Sequence, residues 1–187
     1  MENSSSKDAL SFRVGLIERA VAEQGRRLEE LMHALSDDEP SDRRVPEKIL
    51  VEPASVSPFA SGFHFHEHDA AGRAYRWTGR GDFFELRVPM NRNVNWTFEM
   101  ELRGNEHVSV DPLRCFVDYI EIPVSFGGPS WLATGRIPAK PLATHAVLTF
   151  YLPGHFIPSK LDPKSVDHRR LSAVFYGLKL APAGDAK

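Results

Sequence analysis

Cys115 is the only cysteine among the 187 residues, so the chain forms no internal disulfide and no cysteine-built zinc cage. Long apolar runs are also missing. No stretch approaches the roughly 20 apolar residues that a bilayer-spanning helix needs. Residues 1–9 are polar and carry both signs of charge, without the apolar core of a secretory signal. A cytoplasmic location without a membrane span is therefore expected. Neither sign of charge dominates: 23 Lys and Arg stand against 25 Asp and Glu, leaving −2 overall. Such a balance gives no global field for nucleic acid or an anionic membrane, so no nucleic-acid partner is expected. No glycine loop of the phosphate-cradling kind is present. Ser57, Ser61, Ser125 and Ser130 lack the Gly-x-Ser-x-Gly setting of a nucleophile elbow. Cys115 falls in an apolar strand run and reads as a buried thiol rather than a nucleophile. Glu67, Glu85, Glu99 and Glu101 offer carboxylates, but nothing in their spacing selects a pair for glycoside hydrolysis. No cofactor and no catalytic residue are assigned, and the chain reads as leaning away from enzymes.

What is present begins with a heptad seam. Leu10, Val14, Ile17, Val21, Leu28, Leu31 and Leu35 recur at alternating spacings of four and three, interrupted only by Gln24. Val14, Val21, Leu28 and Leu35 take the a positions; Leu10, Ile17, Gln24 and Leu31 take d. One narrow apolar stripe cannot be hidden by a lone helix, so self-association is expected. Arg13-Val14-Gly15-Leu16-Ile17-Glu18 resembles the short Arg-apolar-x-x-apolar-Glu pattern of three-stranded coiled coils, with Arg13 at g and Glu18 at e for an interchain charge pair. A homotrimer is favoured and a dimer stays open. The other use of such a stripe is packing on the chain's own β-module, which Gly15 and Gly25 favour by weakening the helix about 1 kcal/mol each.

The seam predicts an oligomerisation helix over 1–36. Residues 37–58 then read as a linker, punctuated by Pro40, Pro46, Pro53 and Pro58, with an apolar patch Ile49-Leu50-Val51 suited to an edge strand. Residues 59–187 read as a β-module. Phe84, Leu86 and Val88 alternate with polar neighbours, as do Trp96, Phe98, Met100 and Leu102. Further strands are expected over 63–67, 74–78, 115–124, 131–137, 146–152 and 171–180. About eight strands without an intervening helical pattern indicate an all-β fold, an antiparallel β-sandwich or jelly roll.

Two constellations invite chemistry. In His64-Phe65-His66-Glu67-His68, residues two apart on a strand share a face, so three imidazoles fall on one side. His64 and His66, with His68 as a third candidate, have the chemistry of a zinc site. They fail the cupin pattern, which needs a Glu four or five residues beyond the second His. The competing reading is a solvated strand face with Phe63 and Phe65 buried behind it. Elsewhere Trp77 and Trp131 offer indole faces on which sugar C–H groups stack, and Arg76, Glu67, Asp167 and Arg169 offer bidentate partners for hydroxyls. Trp77 and Trp96 serve equally well as core residues. Trp131 follows Gly-Gly-Pro-Ser at a loop edge, where exposure is expected.

The order Gly62-Phe63, Glu67, Arg76-Trp77-Thr78-Gly79 and finally Asp167-His168-Arg169-Arg170-Leu171 resembles non-catalytic β-sandwich modules of bacterial glycosyltransferases and polysaccharide-assembly proteins. Those modules show a Gly-aromatic…Glu…Arg-Trp opening and an Asp-x-Arg-x-Leu-Gly closing segment, and the likeness covers about residues 60–181. Here Ser172 stands where the pattern has Gly, and the chain contains no glycosyltransferase domain. The resemblance implies a carbohydrate-binding or scaffolding module, with polysaccharide or a glycosyltransferase as partner. Three readings follow. The chain is an oligomeric glycan-binding accessory protein, an adaptor whose sandwich binds another protein, or a metal-dependent jelly-roll enzyme using His64 and His66.

Overall fold

The computed structural model describes Glu23 and residues 45–56, 60–127 and 131–184. The chain divides into two units, residues 1–44 and 45–187. The heptad seam lies outside the described residues.

Eleven strands occur among its described residues: β1 (Ile49–Val51), β2 (Phe63–His68), β3 (Ala74–Thr78), β4 (Phe83–Pro89), β5 (Trp96–Arg103), β6 (Arg114–Val117), β7 (Ile120–Ile122), β8 (Val124–Gly127), β9 (Leu132–Ile137), β10 (His145–Tyr151) and β11 (Val174–Pro182). A 3-10 turn (Pro53–Ser55) and a one-turn helix α1 (Pro158–Leu161) interrupt them. All pairings are antiparallel. The larger sheet runs β2-β3-β11-β5-β9-β8, with β1 added beside β11; the smaller runs β4-β10-β6-β7.

Period-two patterning explains how the sheets meet. In β5, Trp96, Phe98, Met100 and Leu102 are buried while Thr97, Glu99 and Arg103 face solvent. In β4, Phe84, Leu86 and Val88 are buried in the same alternating way. The two apolar faces close on each other through aromatic rings. Phe98 of β5 meets Phe150 of β10 edge-on at 5.9 Å, and Phe63 of β2 meets Phe84 of β4 at 5.1 Å. Each buried Phe contributes about 2–3 kcal/mol of transfer free energy, so this shared layer is what holds the sandwich together.

The strand β11 organises the larger sheet. Its whole length pairs β5 on one side, while its other side is divided between β3, at Val174 and Phe175, and β1, opposite Leu178 to Leu180. The apolar patch 49–51 thus completes the sheet, and Pro53 just beyond it ends the pairing, since proline has no N–H to donate. Tyr176 is an extra residue in β11, where the β5 register shifts between Phe175 and Gly177.

Two sequence expectations are corrected. The run 115–124 is not one strand. Asp118 and Tyr119 both have positive φ, 49° and 69°, and form a two-residue hairpin loop between β6 and β7. No glycine marks that turn, so the apolar run conceals it. Phe65 is not buried behind the histidines; it is 75% exposed, for a reason that lies in the register of β2.

Candidate functional site

The strand β2 carries a bulge. Phe63 pairs Thr78, but His66, not Phe65, pairs Arg76, so one extra residue is accommodated between Phe63 and His66. A one-residue shift exchanges the faces of all residues beyond it. Phe63 therefore points into the core, while Glu67, four positions later, stands beside Tyr75 on the outer face of the larger sheet. The same shift breaks up the expected row of three imidazoles. His64 turns its Nε2 to the Arg170 carbonyl at 2.9 Å, while the His66 and His68 rings stay together.

On the outer face Glu67 accepts from both directions. Arg169 Nη1 donates to Oε1 at 2.5 Å, and the Tyr75 hydroxyl donates to Oε2 at 3.1 Å. Arg169 also clamps Asp167, donating Nη2 to Oδ2 at 2.8 Å and Nε to Oδ1 at 3.0 Å. Those bonds from Arg169 hold the Asp167 carboxyl below the usual carboxylate range despite partial desolvation. Arg169 in turn is held firmly charged by Asp167 and then Glu67. Burial, and then the bond to Glu67, push the Tyr75 hydroxyl up.

Next to this cluster lies a half-buried aromatic row. Tyr75 and Trp77 are two apart on β3 and share the outer face, their rings 6.3 Å apart. Tyr176 adjoins Tyr75 at 6.0 Å, and Phe156 packs edge-on against Trp77 at 5.8 Å. Cations border the row. The Arg73 guanidinium lies 4.2 Å over the Tyr176 ring and Arg103 lies 5.3 Å from it. Arg73 is also bonded to both oxygens of Glu101, through Nη1 at 2.8 Å and through a shorter contact from Nη2. An open groove of about 240 Å³ continues from Tyr176 between β1, β11 and β5, lined by Val51, Glu99, Glu101 and Lys179 among others. Glu99 and Lys179 form an ion pair across it at 3.0 Å.

Of the residues singled out in the sequence, Glu67, Trp77, Asp167 and Arg169 meet on this face. Arg76 and Trp131 do not join them. Arg76 points to the interior, 3% exposed, where Nε and Nη2 each donate at 2.6 Å to the carbonyls of Pro53 and Val56. Its work is to hold the 3-10 turn onto β3. Trp131 is 45% exposed, with φ of 46°, at the start of β9. Strands β11 and β5 lie between β9 and β3, so three strand spacings, about 14 Å, keep the two indoles from forming one platform. Trp96 is a core residue, its indole N–H donating to Asn91 O at 2.7 Å. Tyr75, Tyr176, Arg73 and Phe156 were not singled out. Tyr75 was accessible from its i, i+2 spacing to Trp77. Tyr176 depends on the β11 bulge, and Phe156 on a bridge to Leu171 that no local pattern announces.

Among the described residues no group of three His, Cys, Asp or Glu side chains is placed to hold a metal, and no helix is long and apolar enough to cross a membrane. Cys115 is buried, and that burial pushes its thiol up to about 12.

No family model matches the chain, and no curated protein matches its sequence. Among solved structures, the chain is similar to a GH26-CBM35 β-(1,4)-mannanase from Podospora anserina, at 7% identity and a TM-score of 0.49, over 75% of this chain and 29% of that one. It is also similar to a family 35 carbohydrate binding module from Clostridium thermocellum, at 13% identity and a TM-score of 0.44, over 74% of this chain and all of that one.

Proposed function

We propose that the chain binds glycan, without chemistry of its own, on the outer face of the larger sheet. The observation that carries this reading is the row Trp77, Tyr75 and Tyr176, bordered at Tyr75 by Glu67 with Arg169 and Asp167, and at Tyr176 by Arg73 with Glu101. Aromatic rings on a sheet face accept the apolar C–H side of a sugar ring, and fixed carboxylate and guanidinium groups bind pairs of hydroxyls. A binding role is favoured over hydrolysis by the state of the acids. Asp167 is held ionised by Arg169, so it is not poised to protonate a leaving group, and the same guanidinium engages Glu67. Cys115, buried with its thiol raised, is a poor nucleophile.

In this reading the heptad seam of residues 10–35, with Arg13 and Glu18, assembles three copies in the cytoplasm. Several weak sites then act together on one polysaccharide, in an assembly process that includes a glycosyltransferase. A glycan array probed with the full chain tests the binding. Trp77→Ala and Tyr176→Ala each weaken retention at least tenfold, whereas Trp131→Ala leaves it unchanged. Absence of any retained glycan at high protein concentration, or equal loss in all three variants, overturns the site. Sedimentation equilibrium tests the trimer, which Val14→Asp with Val21→Asp reduces to a monomer.

A further inference from the structure

We propose that His66 and His68 form a two-imidazole chelate for a divalent transition-metal ion, with Cu²⁺ held most tightly. The two residues are i and i+2 on the edge strand β2 and project to the same side. Both are exposed, and their ring centroids lie 5.9 Å apart at an interplanar angle of 84°. Two imidazoles bound to one ion through bonds of about 2.0–2.1 Å set their centroids about 4.5–6 Å apart. The observed separation is at the upper end of that range, so small rotations at two exposed side chains complete the chelate.

The surroundings permit a cation. Across from His68 the register places Ala74, which leaves the ring open. Across from His66 it places Arg76, whose guanidinium is turned away to the carbonyls of Pro53, Val56 and His64. His64 takes no part, because its Nε2 is engaged by the Arg170 carbonyl. The β2 bulge thus decides which pair acts. A regular strand aligns all three imidazoles, whereas here the last two remain free of that carbonyl and adjacent.

Nitrogen donors select copper, nickel and zinc over calcium or magnesium, and two imidazoles without a geometric cage follow the general order in which Cu²⁺ exceeds both Ni²⁺ and Zn²⁺. With two protein ligands the remaining coordination positions hold water. They are open to an outside donor.

Calorimetric titration of the untagged full-length chain with Cu²⁺, Ni²⁺ and Zn²⁺ in a non-coordinating buffer tests the chelate. One Cu²⁺ binds per chain, at least tenfold tighter than Zn²⁺, and its paramagnetic resonance spectrum shows coupling to two nitrogens. His66→Ala and His68→Ala each weaken Cu²⁺ binding at least tenfold and remove one of those couplings, while His64→Ala changes neither. Circular dichroism confirms that each variant keeps its fold, which the exposure of His66 and His68 allows. The assignment is overturned if the full chain binds no Cu²⁺, if the His66 and His68 variants bind it unchanged, or if His64→Ala causes an equal loss.

Discussion

Arg169 reaches Glu67 across 102 positions of sequence, its Nη1 2.5 Å from the carboxylate Oε1. The bond ties the segment before β11 to the edge strand β2, and it orients both acids of the candidate site around one guanidinium. Because both partners are partly exposed, the pair contributes little to stability. Arg169→Ala is expected to cost about 1 kcal/mol or less in chemical denaturation. Its effect on ligand retention is larger, since the planar fork that orients both carboxylates is lost, and Arg169→Lys does not restore it. Glu67→Gln removes a negative charge beside the Tyr75 hydroxyl. Ultraviolet titration should then show one tyrosine moving back toward its ordinary value, with the part of the rise due to burial remaining.

The β2 bulge reconciles two demands. Phe63 must enter the core and Glu67 must face outward, although four positions separate them and a regular strand puts both on one side. Removing one residue meets both demands without a bulge. Deletion of Phe65 leaves the pairings of Phe63 with Thr78 and of Glu67 with Tyr75 available and removes an exposed ring. Stability is expected to stay within about 1 kcal/mol of the parent. Inserting an alanine after Phe65 also puts the two residues on opposite faces of a regular strand, but it moves Glu67 from Tyr75 to a place opposite Arg73, and should cost about 2 kcal/mol through the lost register. Urea denaturation of both variants decides; a deletion as costly as the insertion would refute this account of the bulge.

That bulge also marks the limit of what the sequence discloses. The alternations in β4 and β5 are regular, and both strands appear where the pattern puts them, because each has one apolar face to bury. The two antiparallel sheets follow from the same patterning. The site is only partly legible. Trp77, Glu67, Asp167 and Arg169 were accessible as residue types suited to sugars, but period two assigns Glu67 to the core face of Phe63. Arg76 looked like a ligand because a charged residue on a strand normally faces water. It is buried because three carbonyls, of Pro53, Val56 and His64, satisfy its guanidinium, and those partners lie 12 to 23 residues away in sequence. Neither bulge in β2 or β11 carries a local signal strong enough to fix its position.

A buried arginine at the opposite side of β5 was equally hidden. Arg92 is 1% exposed and gathers three segments, donating to Asp118 Oδ2 at 3.1 Å, His145 O at 3.3 Å and Pro138 O at 2.8 Å. Among the described residues its Nε has no partner. Replacing it leaves two carbonyls and a carboxylate short of a donor, although Lys140 still reaches Asp118 at 2.9 Å. Arg92→Met is expected to destabilise by about 3 kcal/mol. Arg92→Lys recovers only part of this, because one ammonium cannot span three acceptors set around a planar group. Thermal and urea unfolding of the two variants provide the comparison.

The pH dependence of stability is expected to have two separable limbs. Burial lowers the His64 imidazole below its ordinary value of about 6.5, aided by the nearby Arg169 and Arg80 charges and opposed by the Arg170 carbonyl and Asp167. A group whose proton affinity is lower in the folded state stabilises the fold above its unfolded pKa. That contribution is therefore complete above about pH 6.5 and fades as the pH falls through the folded value. Asp167 follows the same sign at lower pH: its carboxyl is depressed by Arg169, so its contribution is complete above about pH 4 and is lost on further acidification. Asp118 adds to that lower limb, since bonds from Lys140 and the Val147 N–H and the charge of Arg92 outweigh the burial that opposes its ionisation. Urea unfolding between pH 8 and pH 3 should show a decline in two stages. His64→Gln, whose amide N–H can still donate to the Arg170 carbonyl, removes the upper stage and leaves the lower one intact. An upper stage that survives in this variant assigns the titration to another histidine.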